Sequence, residues 1–313
     1  MQTILGSGGA ISAPLARALA EYTDRVRCVS RKPHALPSAT STVYEHFAAD
    51  LLNAEATVAA VEGAEVVYVT AGLPYDTKIW RRDWPVLVDN VIQACAKTSA
   101  KLVFVDNVYA LSEDSYGRMT EESPLDPPSE KGKVRKRVLD GLWAAHRSGS
   151  CEVLVARAAD FYGPGIANSL LLEVIVKKLA AGSAAQWLGN PDVSHSFTYT
   201  PDAGHAVAKL GNTVKAFGQT WNLPTASESW TPREWVERTA AALGTKPKLQ
   251  ALPKWLWRAL SFVNGDLREL YDVRQQVQSA YIFDSSKIER ELGLRATSYE
   301  AGLAEVVAGL RPR

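Results

Sequence analysis

The run Ile4-Leu5-Gly6-Ser7-Gly8-Gly9-Ala10-Ile11-Ser12 constrains this chain more than any other stretch. It leads from a short apolar strand, Thr3-Ile4-Leu5, into an amphipathic segment that begins near Ala13. Glycines at such a junction keep side chains out of the way and permit the positive φ that a tight strand-to-helix turn needs. The helix that follows presents unpaired N–H groups and a partial positive charge, which together hold phosphate. Gly6, Ser7, Gly8, Gly9, Ala10 and Ile11 are therefore candidate ligands for a dinucleotide pyrophosphate.

What surrounds the turn decides the fold class. Apolar runs at Thr3–Leu5, Val26–Ser30, Val66–Thr70, Leu102–Val105 and Val153–Arg157 alternate with helical patterns at Ala13–Glu21, Ala54–Val61, Trp84–Lys97 and Val134–His146. Strands that are apolar throughout, separated by amphipathic helices, predict an α/β doubly wound parallel sheet. Ligands of such sheets bind at the carboxyl ends of the strands. After Gly163-Pro164-Gly165 the pattern becomes irregular. A helix is expected over Ser169–Ala181, then a polar stretch over 182–196, a strand at Phe197–Tyr199, a helix at Ala203–Leu210 and a strand at Thr220–Leu223. Thr231-Pro232-Arg233-Glu234 opens a further helix, with Thr at the N-cap, Pro at N1 and Glu at N3. The division expected is a nucleotide-binding domain over 1–165, rejoined by about 197–224, and a smaller discontinuous substrate lobe over about 166–196 and 225–313.

Charge is balanced, 35 Lys+Arg against 34 Asp+Glu, which argues against a nucleic-acid surface. Cys28, Cys95 and Cys151 are scattered and sit in apolar contexts, so they suggest buried thiols and neither a disulfide framework nor a metal site. No run approaches the roughly 18 apolar residues of a membrane span, and no signal-peptide pattern precedes the first strand. These features lead to the expectation of a cytoplasmic protein with no membrane partner.

Cofactor preference is read at the end of the second strand. A site for NAD places an acid there to accept from the ribose hydroxyls. This chain has Ser30-Arg31-Lys32, a hydroxyl and two cations that suit a 2′-phosphate, so NADP is expected in preference to NAD. Asp50 and Leu51 are candidates for the adenine side, and Thr70, Ala71 and Gly72 for the adenosine side of the fourth strand.

Taken together, these residues resemble the short-chain dehydrogenase/reductase superfamily, in its extended or atypical branch with the NAD-dependent epimerases and dehydratases. Gly6–Ser12 is similar to that family's Gly-x-x-Gly-x-x-Gly, with Ser12 in place of the last Gly. Val91–Cys95 with Lys101–Val105 resembles its central helix and fifth strand. Arg157-Ala158-Ala159-Asp160-Phe161-Tyr162-Gly163-Pro164 is similar to its Arg-Pro-x-Asn-x-Tyr-Gly-Pro, Ser196–Ala203 to its Asp-Phe-x-x-x-x-Asp-Val, and Phe283–Lys287 with Leu292-Gly293 to its terminal signature. The resemblance implies a Rossmann sheet, NAD(P) binding, and cofactor contacts from Ala158, Asp160 and Phe161 beside the nicotinamide. It also implies pairing into a homodimer through the helices at Trp84–Lys97 and Val134–His146.

Catalysis is where this chain departs from the family. The family uses a Tyr as acid/base, a Lys four residues on that lowers its pKa, and a Ser at the substrate carbonyl. Here the Ser position holds Asn107, the Tyr position Lys131, the Lys position Arg135, and the central-helix Asn falls near Trp84. Arg135 and Asn107 are expected to retain contacts with the nicotinamide ribose and a carbonyl oxygen. A proton donor must come from Tyr109, Lys131, Tyr116 or Tyr162, with Tyr109 favoured by its place just beyond the fifth strand. Trp80 and Trp84 are expected at an apolar pocket mouth, and His195 and His205 in lid and helix positions. Two readings follow. One is an NADP-dependent reductase or epimerase-like oxidoreductase acting on a small carbonyl or hydroxyl compound. The other is a catalytically silent NADP-binding redox sensor or regulatory partner-binding protein.

Overall fold

The computed structural model describes residues 1–38, 41–167 and 169–310. In chain order its elements are β1 (Gln2–Leu5), α1 (Ser12–Leu19), β2 (Arg25–Ser30), β3 (Val43–Ala48), α2 (Ala54–Val61), β4 (Val66–Val69), α3 (Thr77–Thr98), β5 (Lys101–Asp106), α4 (Glu130–Arg147), β6 (Val153–Arg157), β7 (Asp160–Tyr162) and α5 (Lys177–Ala180). There follow β8 (Ala185–Leu188), β9 (Phe197–Tyr199), α6 (Thr200–Gly211), β10 (Thr220–Asn222), α7 (Pro232–Leu243), β11 (Leu249–Leu252), α8 (Lys254–Ser261), α9 (Gly265–Asp272), α10 (Ser286–Leu292) and α11 (Tyr299–Leu310). The chain divides into two compact units, one of 1–107, 133–158 and 201–223, the other of 108–132, 159–200 and 224–313. Residues 108–132, placed with the sheet by sequence alone, belong to the second unit.

The first unit is built on a seven-stranded sheet in the order β10-β6-β5-β4-β1-β2-β3, every pairing parallel. β1, β4 and β6 are buried along their whole length, as strands covered on both faces must be. This is the doubly wound α/β fold expected from the alternation. Strand order reverses at the β1–β4 pair, where Leu5 lies opposite Val69, so the crevice for ligands opens at the carboxyl ends of these two strands.

Helix α3 begins at Thr77, well before the expected Trp84. Asp76 caps it by accepting from the Lys78 and Ile79 N–H groups at 2.8 and 2.9 Å, and the helix then runs through Pro85. The earlier start carries Trp80 and Trp84 inward. They are 5% and 3% exposed and meet edge to face at 6.1 Å, with Trp84 also against Phe104, so they belong to packed interior and not to an open mouth. Cys28, Cys95 and Cys151 are buried free thiols, and burial pushes Cys28 up to about 11.

The second unit holds two short parallel ladders, β8 with β11 and β7 with β9. β8 lies within the polar stretch read over 182–196, and its partner is far away in sequence. The helix expected over Ser169–Ala181 contains a π-helical segment at Leu172–Val176 before α5. An aromatic core of Tyr162, Trp187, Phe197, Trp235 and Tyr299 fills this unit. At α7 the predicted box forms: the Thr231 hydroxyl accepts from the Glu234 N–H while the Glu234 carboxylate accepts from the Thr231 N–H.

Candidate functional site

The Gly-rich turn leaves β1 at the strand-order reversal. The N–H groups of Gly6 and Ser7 both donate to the Val29 carbonyl of β2, at 3.0 and 2.9 Å. Gly6 has φ of +87°, and a Cβ on it would stand 2.2 Å from the Ala71 Cα, so only glycine fits. Gly8 is also left-handed, at +99°. Ser12 Oγ accepts from the Gly8 N–H and donates to the Gly9 carbonyl, each at 2.8 Å. The Thr70 hydroxyl points back to the carbonyls of Leu5 and Gly6 at 3.3 Å.

Three features make this turn fit an anionic pyrophosphate. The N-terminus of α1 has no side-chain cap, its first turn holds no acid, and the buried Ser7 Oγ has no hydrogen-bond partner among the described residues. Gly9, Ala10 and Ile11 complete the turn and lead into α1.

The end of β2 carries the other cofactor candidates. Arg31 and Lys32 are exposed and Gly72 lies open after β4. Ser30 is more engaged: its Oγ contacts the Lys32 carbonyl, His34 Nδ1 and His46 Nε2 at 2.7, 3.3 and 3.0 Å. Sequence alone missed both histidines, because His46 reaches Ser30 only through the pairing of β2 with β3, where Cys28 lies opposite His46. Asp50 accepts from the Leu52 N–H, and the Leu51 carbonyl accepts from Asn90 of α3 and Thr57 of α2. Ala158, at the end of β6, donates its N–H to the Asp106 carbonyl at 3.0 Å.

Asn107, half-buried, directly follows β5, and Arg135 is drawn to the same strand end. The Arg135 Nε donates to Asp106 Oδ1 at 2.9 Å and its terminal nitrogen donates to the same oxygen. The guanidinium also lies 4.5 Å from the Trp84 ring centroid and 4.9 Å from that of Phe104. Arg157 Nε is 3.8 Å from the other Asp106 oxygen. Arg135 is 3% exposed, so the residue in the family's Lys position is held in a buried ion pair.

The other chemistry-bearing residues lie in the second unit. Lys131 is fully buried, its Nζ 2.5 Å from Glu269 Oε2 and 3.0 Å from the Glu269 carbonyl of α9. The Asp272 carboxylate accepts from the N–H groups of Glu130 and Lys131, capping α4. Gly132 follows because a Cβ there would lie 2.3 Å from the Tyr109 carbonyl. Tyr109 is half-buried, whereas Tyr116 and Tyr162 are 2% and 1% exposed. Phe161 offers its carbonyl to the Ser169 hydroxyl at 2.6 Å.

Asp160 has an unforeseen partner. His195, 2% exposed, places Nε2 2.8 Å from Asp160 Oδ2 and stacks on Tyr281 at 4.2 Å. Burial first, then the neighbouring Asp160, Tyr109 and Tyr116, hold the Tyr281 hydroxyl well above its ordinary range. His195 is thus a packed, hydrogen-bonded core residue, and its sequence context carried no sign of Asp160 as partner.

Among the described residues no helix is long and apolar enough to cross a membrane, and no group of three or more His, Cys, Asp or Glu is placed to hold a metal.

Comparison with known proteins agrees with this geometry. No curated protein matches the chain. Among solved structures, a dTDP-glucose 4,6-dehydratase from Streptomyces venezuelae, determined with NAD bound, is 20% identical over 100% of this chain and 97% of its own, with a TM-score of 0.82. A UDP-N-acetylglucosamine 4-epimerase from Bacillus cereus is 16% identical over 99% and 96%, with a TM-score of 0.77. A UDP-glucose 4-epimerase from Thermus thermophilus, in complex with NAD, is 16% identical over 99% and 98%, with a TM-score of 0.76. The pattern of one family matches residues 3–223, from within β1 to just past β10, and the chain belongs to the NAD dependent epimerase/dehydratase family.

Proposed function

We propose that this protein binds NADP(H) and works as an oxidoreductase on a small carbonyl or hydroxyl compound. The observation that carries the reading is the turn at Gly6–Ser12, with the unpartnered Ser7 Oγ and an uncapped α1 behind it. Family membership and neighbours solved with NAD support a dinucleotide. The preference for NADP rests on Ser30, Arg31 and Lys32, where a site for NAD would carry an acid. A bound nicotinamide would supply hydride transfer. The chain's own part is to hold the pyrophosphate on backbone N–H groups and to meet the ribose end with cations. Asn107, at the end of β5, is suited to donate its amide to a carbonyl oxygen. Tyr109 remains our candidate proton donor, a role worth about 10²–10⁴-fold in rate.

A second reading, an NADP-binding protein without turnover, is favoured by one specific observation. Both positions of the family's Tyr–Lys relay are here committed to buried ion pairs, Lys131 with Glu269 and Arg135 with Asp106.

The readings separate in one assay: NADPH oxidation by the purified protein with aldehydes, ketones, enones and nucleotide-sugars. Turnover with any of them supports the oxidoreductase. Tight NADPH binding with no oxidation supports the silent protein. Arg31→Asp should weaken NADPH about 10- to 100-fold while leaving NADH little changed. Equal affinity of the parent for the two nucleotides would remove the argument for the 2′-phosphate.

A further inference from the structure

The cluster at the end of β2 contains more than the two exposed cations. A carbonyl can only accept, so the single proton of the Ser30 hydroxyl goes to the Lys32 carbonyl, 2.7 Å away. Ser30 Oγ must then accept from both imidazoles. His34 carries its proton on Nδ1 and His46 on Nε2, at 3.3 and 3.0 Å. The rings meet edge to face at 5.9 Å. The same contact fixes the place of His34: its Cγ lies 3.8 Å from where a Cβ on Gly8 would stand, so the ring packs beside the phosphate turn.

With Nδ1 committed to Ser30, Nε2 is the ring nitrogen of His34 left to meet a ligand. Neutral, that nitrogen is an acceptor and repels an anion; protonated, it is a charged donor. We propose that His34 is a ligand for the 2′-phosphate of the dinucleotide, so that the preference for the phosphorylated cofactor rises as His34 takes up a proton. This rests on the cofactor reading above and goes beyond it by adding a residue and a pH dependence.

Arg31 and Lys32 lie on the same loop, and from α1 come the positive end of the helix and a first turn without acids. On β3, Tyr44 shares the His46 face and sends its hydroxyl to the Ala16 carbonyl. The acid of that strand, Glu45, turns its carboxylate to Arg25 and Arg27. Asp50, beyond β3, is exposed and accepts from the Leu52 N–H.

The experiment is fluorescence titration of the full chain with NADPH and with NADH at about pH 6 and about pH 8. The ratio of the two dissociation constants should favour NADPH about tenfold more at the lower pH, the scale of one charge-assisted hydrogen bond. The phosphate itself titrates near pH 6. His34→Asn, whose amide can still donate to Ser30, reports that contribution alone and should abolish the tenfold rise. Thermal denaturation checks that the variant folds; if it does not, His34→Gln takes its place in the same comparison. A pH dependence of the ratio that is the same in the parent and in His34→Asn overturns the proposal while NADPH binding stands. Binding of neither nucleotide at either pH overturns the cofactor reading and this inference with it.

Discussion

Arg135 Nε donates to Asp106 Oδ1 at 2.9 Å inside the first unit, where the guanidinium is 3% exposed and the carboxylate is 2% exposed. Removing Arg135 leaves the Asp106 charge away from water, with Arg157, 3.8 Å from Asp106 Oδ2, compensating in part. Arg135→Met should therefore destabilise the protein by about 1–3 kcal/mol, and Arg135→Lys by less, since an ammonium keeps the charge but loses the fork and the contact with Trp84. Urea denaturation of the two variants checks this. Equal stability of Arg135→Met and the parent would show that the pair is not needed for the fold.

Lys131 and Glu269 make the corresponding test in the second unit. The lysine is fully buried but Glu269 is 19% exposed on its side chain, so water can compensate part of the loss. Lys131→Met should cost about 1–3 kcal/mol, and Glu269→Gln should cost less than Lys131→Met. Chemical denaturation distinguishes the order of the two variants.

Gly6→Ala should be among the most damaging single substitutions. It places a Cβ 2.2 Å from the Ala71 backbone at a φ of +87°, a clash that side-chain motion cannot relieve. We expect a loss of more than about 2 kcal/mol of stability and of nucleotide binding. Gly141→Ala, on the exposed face of α4 with nothing within 4 Å of the added Cβ, is the matched control and should lower neither. Melting temperatures and NADPH titrations of the two variants provide the comparison.

Stability at acid pH should depend in part on Asp284. Burial alone would raise its carboxyl, but hydrogen bonds from Ser286 and the Arg118 guanidinium outweigh it and hold the group below the usual range. A group lowered in the folded state stabilises above its unfolded value of about 3.9 and ceases to do so as pH falls through the folded value. Asp284→Asn should therefore lower stability at neutral pH, by under about 1 kcal/mol because Arg118 is exposed, and should flatten the acid limb below about pH 4. A pH series of denaturation midpoints on both proteins measures the difference.

The parts of the fold legible in the chain are those governed by neighbours in sequence. β1, the Gly6–Ser12 turn, α2 at Ala54–Val61 and the Thr231 capping box all follow from periods and caps within a few residues. What escaped depends on distant partners. The early start of α3 hangs on Asp76, easily overlooked beside Pro85, which suggests a helix start from within the helix. β8 is recognisable only beside β11, and Lys131 is a buried charge only because Glu269 and Asp272 reach it from α9. The same limit hid Asp106 as the partner of Arg135, and His46 as the partner of Ser30.

Ser12 stands where the family pattern has its last glycine, and its hydroxyl ties Gly8 to Gly9 across the turn. The loop is thereby stiffened from within. The disorder that a floppy glycine loop would surrender on meeting a ligand is surrendered when the chain folds. The same oxygen occupies the Gly8 N–H, so this loop has exchanged one adaptable donor for a shape that is ready in advance.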